Sequence, residues 1–194
     1  MLRARGGVWH KKHREQGSVP PTRLDPEAAW SKSGRHGWKL HLAVTIGRIG
    51  ISLAAELIAA NTADHEVAPL LLNPLPLEVR PVLGDQHDNT PKRRAECALR
   101  TRELVATRRG AYPPTDSGVE VRRTFHKLRS QAIEPFNGLF KNLFEWGGQR
   151  PMKGLQRSQL LALGALFLYQ LVLLYQHEHH LPIGVEIKAL LRAA

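Results

Sequence analysis

Glu78-Val79-Arg80-Pro81-Val82-Leu83-Gly84-Asp85 is the stretch whose reading decides the fold class. Glu78 to Gly84 is short and mostly apolar, which predicts a buried strand, and Asp85 follows directly at its end. A carboxylate in that position is held at the sheet edge where α/β folds assemble their sites. The same residues also suit a plain turn, because Gly-Asp-Gln-His-Asp-Asn is rich in turn formers. Downstream, Pro91 to Leu99 reads as a helix with Lys92, Arg93 and Arg94 on its exposed side. Glu103 to Thr107 reads as another short strand before the Gly/Pro-rich turn Gly110 to Pro114. Upstream, Asn61 or Thr62 caps a helix with Asp64 and Glu66 in its first turn, which runs through Leu72 and stops before Pro74. Before it, Trp38 to Ile46 alternates like a strand and pairs with Ile51 to Ala60 as a hairpin across Gly47–Gly50.

Residues 119–145 follow a helical period, with Phe136, Phe140, Leu143 and Phe144 as an apolar stripe. After Gly147-Gly148, Leu155 to about His177 forms a final long helix. Its apolar run, Leu160 to Tyr175, contains Gln170 and falls short of the roughly 20 residues of a membrane span, so a buried helix is expected. Residues 1–37 carry many Gly, Pro, Lys, Arg and His without periodicity and read as a basic, loop-rich lead-in. Strands come early and alternate with helices later. The expected class is therefore α/β with a mixed sheet flanked by helices, one domain over 1–194, with no internal repeat.

Of 194 residues, 28 are Lys or Arg and 17 are Asp or Glu, giving a net charge of +11. The charge is blocked: +7 over residues 1–50, −5 over 51–91, +7 over 92–129 and +2 over 130–194. Basic blocks around an acidic middle point to a polyanion gripped about a patch of carboxylates, nucleic acid foremost, although a heparin-like chain, an anionic membrane or a merely solvated basic surface would give the same pattern. A hydrophobic fraction of 42% is too high for a disordered basic tail. The single cysteine, Cys97, excludes disulfide scaffolds and cysteine-based zinc fingers and fits a reducing compartment. The polar opening Leu2-Arg3-Ala4-Arg5-Gly6-Gly7 has no apolar core of a secretion signal.

Glu134 is the second carboxylate of interest. On a helix it shares a face with Lys127, Ser130, Gly138 and Lys141. Carboxylate and ammonium there could hold a metal ion and a phosphate together, or form a solvated face. His177, His179 and His180 cluster at a helix end but do not share one face, which favours a helix-terminus role over metal binding. Trp9, amid Lys11, Lys12 and Arg14, is placed to stack on bases, whereas Trp38 and Trp146 suit packing.

Four pieces occur in order: Gly37-Trp38-Lys39-Leu40-His41-Leu42, then Ala59-Ala60-Asn61-Thr62-Ala63-Asp64, then Leu83-Gly84-Asp85, then Ile133-Glu134 with Lys141 after six intervening residues. Together they resemble the catalytic domain of bacterial insertion-sequence DDE transposases of the insertion-sequence four/five group, from about Leu2 to Leu191. The resemblance implies an RNase H-like fold in which three acids bind two Mg²⁺ (or Mn²⁺) ions for strand cleavage and transfer on DNA. By this mapping Asp85 is the second acid and Glu134 the third. Lys141 contacts phosphate near the cut end, and Lys127, Arg129, Lys92, Arg93, Arg94, Lys11, Lys12 and Arg14 bind DNA. The implied partner is the duplex at the element's terminal inverted repeats, in the bacterial cytoplasm, with self-association open and no membrane involved.

The resemblance also implies gaps. The family's first acid lies on a first strand, and this chain is expected to begin just past it, an N-terminally truncated copy. Asp25, in a loop, is a poor substitute. Asp88 stands where the family often has an aromatic residue, Ser130 stands where it has Arg, and Arg129 is one position off. Pro135 is expected to kink or restart the helix at Glu134. The transposase domain is therefore expected to be incomplete, because the first acid is absent, and a catalytically dead DNA-binding remnant is the alternative.

Overall fold

The structure is a computed structural model that describes residues 1–4, 17, 24–85, 87–106, 116–144 and 152–193, the side chains of 116–122, 129 and 191–193 excepted. The strands are β1 (Leu2–Arg3), β2 (Ala29–Trp30), β3 (His36–Val44), β4 (Ser52–Ala59), β5 (Pro81–Gly84) and β6 (Glu103–Ala106). The helices are α1 (Asp64–Leu72), α2 (Pro91–Ala98), α3 (Asp116–Leu143), α4 (Leu155–Glu178) and α5 (Ile187–Ala193). The chain is mixed α/β. The expected single mixed sheet is instead two sheets among the described residues, one of four strands and one of two. The chain forms two compact units: Met1–Leu42 with Ala55–Ala63 and Asn137–Ala194, and Ala43–Ala54 with Asp64–Phe136.

In the first unit β3 is the central strand. β1 and β2 pair with it antiparallel, Leu2 opposite Trp38 and Trp30 opposite His36, and β4 is its hairpin partner. The bond from Ala60 N to Gly37 O (3.1 Å) closes the base of the hairpin that period-two alternation predicted, while its tip, where Thr45 N donates to Ile51 O (2.8 Å), belongs to the second unit. Gly37 has φ +155°, and a Cβ there would sit 2.0 Å from the Leu2 carbonyl oxygen, so β1 can lie against β3 only across a glycine. Leu2, Trp38, Leu57, Phe140, Ala162, Leu166, Tyr169 and Leu173 are buried in this unit. The Phe140 and Tyr169 rings lie 5.7 Å apart. Burial pushes the Tyr169 hydroxyl up to about 12.

The N-terminus of α4 is fastened from a distance. Asp25, fully buried, accepts from Gly154 N (2.9 Å) and Glu27 N (3.1 Å), while Glu27 accepts from Leu155 N (2.8 Å). Two carboxylates thus satisfy helix-start amides that lack partners within the helix and meet its positive end. At the other end Gln176, also buried, donates to Val185 O and accepts from Gly184 N (2.8 Å), folding the chain back after α4. The expectation of a buried helix holds on one face only. Ser158, Ala162, Ala165, Leu166, Tyr169, Leu173 and Gln176 are buried, while the opposite face is exposed and apolar. By length and composition alone α4 is also long and apolar enough to cross a membrane.

In the second unit β5 and β6 are parallel, Val82 opposite Leu104 and Leu83 opposite Val105, joined through α2 in a β-α-β unit. Their core is Leu72, Leu75, Cys97 and Leu104, with Leu53, Val79 and Val82 packed against it. Cys97 is fully buried, and burial raises its thiol above the usual range, so it is a packing residue. Thr90 caps α2 by accepting from Arg93 N (3.2 Å), with Pro91 opening the helix. Arg102 is buried and donates to Leu72 O and Leu75 O (2.8 Å each), closing the end of α1 from 30 residues away. α3 runs through Pro135 as one helix and does not restart there.

Candidate active site

Asp85 stands at the carboxyl end of β5 and is half-buried. The turn after it is locked from both sides. Asp85 Oδ1 accepts from His87 N (2.6 Å) and Asp88 N (3.3 Å), and Asp85 N donates to Asp88 Oδ2 (3.1 Å). A Cβ at Gly84 would lie 2.8 Å from Asp88 Cβ and 3.2 Å from Leu104 Cδ1. The Leu83-Gly84-Asp85 triplet therefore needs glycine because the chain folds back onto it. The strand-end position and the turn-forming role are thus both realised. Asp85 is aimed by its own loop, and one of its oxygens already holds that loop together.

Glu134 is exposed on α3, in the same compact unit as Asp85. Lys127 and Lys141 are exposed on the same helix, and the Lys127 carbonyl accepts from Ser130 Oγ (3.0 Å). Among the described residues no three His, Cys, Asp or Glu side chains come together as a metal-holding group. Asp25, the substitute for the missing first acid, is instead spent on the helix clamp described above.

The basic residues of α2 divide. Lys92 is exposed. Arg93 is buried, its guanidinium donating to His65 O and Glu96 Oε2, so it serves the interior and is not a surface contact for phosphate. Arg94 lies outside but is held by Asn89 Oδ1 (2.8 and 3.0 Å) and Leu104 O (3.2 Å). Lys11, Lys12, Arg14, Trp9 and Trp146, and the side chain of Arg129, lie outside the described residues. His177, His179 and His180 are exposed, with the His179 ring 4.3 Å from that of Tyr175.

Sequence reading missed the part Asp88 plays. It registered only as a departure from the family, while the Asp-x-x-Asp spacing carries the signal of a turn closed by two side chains. Comparison with protein-family models, with curated proteins and with solved structures gives no match in any of the three.

Proposed function

We propose that the chain is a DNA-processing domain of the DDE transposase type, with Asp85 and Glu134 as two of its acids and Lys141, Lys127 and Lys92 facing phosphate. The observation that carries this reading is the order of elements around Asp85. An antiparallel hairpin and a helix lead to a parallel strand ending on the aspartate, then a crossover helix, a second parallel strand and a long helix bearing Glu134. That order supports the RNase H-like interpretation. The net charge of +11 supports a polyanionic partner.

The two acids do not by themselves fit a two-metal centre. In-line attack at phosphorus needs carboxylates that bracket both ions, and the described residues hold no group of three ligands. That ligand count favours a second reading, a DNA-binding relative that does not cut.

Fluorescence anisotropy on labelled duplex, together with a plasmid-nicking assay in Mg²⁺ or Mn²⁺, tests both. Duplex binding that weakens by about 10²-fold or more between 50 and 200 mM salt is expected under either reading. Nicking that Asp85→Ala and Glu134→Ala abolish, with binding retained, establishes the transposase-type activity. Binding without nicking leaves the second reading, and salt-independent or absent binding ends both.

A further inference from the structure

We infer that α4 is a dimerisation helix, packing antiparallel against α4 of a second copy of this chain through its exposed apolar face. Leu160, Leu163, Phe167, Leu171 and Leu174 lie along one stripe and are 78%, 38%, 60%, 46% and 46% exposed. Leu168 and Tyr175, each 48% exposed, widen one side of it. The face opposite is already buried in its own unit, and among the described residues this stripe stays exposed. Its exposed area is on the order of 600 Å², at the upper limit for a monomer and close to what each partner gives to a standard interface.

Along the central stripe the spacing suits a second copy of the same helix. Steps of three, four, four and three residues read the same from either end, with Phe167 at the centre. A twofold axis through Phe167 therefore sets Leu160 of one copy against Leu174 of the other, and Leu163 against Leu171, as an isologous contact requires. The same axis brings Arg157, exposed at one end, beside Glu178, exposed at the other, and opposes the two helix dipoles. Gly164, with open space where a side chain would be, leaves a notch beside Phe167 for the facing ring. A bilayer fits less well. The stripe from Leu160 to Tyr175 is about 23 Å long, against about 30 Å of hydrocarbon, and it covers one side of the helix only.

Light scattering and sedimentation of the full chain without DNA test this separately from the proposed function. The expected mass is twice the 21.7 kDa of one chain. Phe167→Glu, and independently Leu171→Lys, should halve it with helical circular dichroism unchanged. In a Cys97→Ser background, Leu160→Cys and Leu174→Cys should cross-link when mixed and not alone, while Phe167→Cys should cross-link with itself. A monomeric wild-type chain, a dimer indifferent to both charge substitutions, or Leu160→Cys pairing with itself overturns the inference. So does a chain that is monomeric in solution and floats with lipid vesicles through Phe167.

Discussion

Asp25 shows how much one side chain can carry. It is fully buried, and its two oxygens hold amides from Glu27 and Gly154. Asp25→Ala removes both acceptors at once and should cost about 2–4 kcal/mol, read as a lowered urea midpoint, with Asp25→Asn recovering part. His36 is nearby in this network. Its Nε2 faces the Ala28 carbonyl at 3.0 Å, so the neutral ring carries its proton there. Burial depresses its pKa, against smaller opposing pulls from that carbonyl and from Asp25. The unfolded imidazole titrates near 6.5, so as pH falls through that value the unfolded chain takes up a proton that the folded chain refuses. Stability should fall between pH 7.5 and 5.5, and His36→Gln should flatten that part of the urea-midpoint profile.

Among the elements, the hairpin and the β-α-β unit were legible because each rests on local signals. Alternation marks β3 and β4, and Thr90-Pro91 marks the start of α2. What could not be read is what arrives from elsewhere in the chain. The two-residue strands β1 and β2 exist only as partners of β3, and α4 takes its N-terminal bonds from residues 128 and 129 positions away. Arg102 is the same kind of case. Its sequence neighbourhood is basic, which reads as surface, yet its guanidinium closes α1 from inside. Arg102→Ala strands those carbonyls without donors and should destabilise by about 3 kcal/mol, whereas a surface arginine would cost less than about 0.5. Hydrogen exchange slowed in α1 in the wild type and accelerated in the variant checks it.

At the scale of the whole molecule, net charge and apolar surface are the features on which the two proposals, duplex DNA and a second copy, rest. The candidate site was legible in part, since Asp85 and Glu134 stand on a strand end and a helix as their motifs suggested. The charge blocks were a coarser guide. Arg93 and Arg102 count toward the basic block at 92–129 but are enclosed in the second unit. The charge available to phosphate is thus smaller than composition suggests, and the salt slope of duplex binding should report fewer phosphate contacts than the lysines and arginines present. The long apolar run was read as interior because pattern cannot tell a helix enclosed on all sides from one enclosed on half. Cys97 has a practical consequence. As the chain's single thiol, sealed among Leu72, Leu75 and Leu104, it is a built-in reporter. The pace at which an aromatic disulfide reagent colours it clocks how often that nucleus breathes, without attaching any probe.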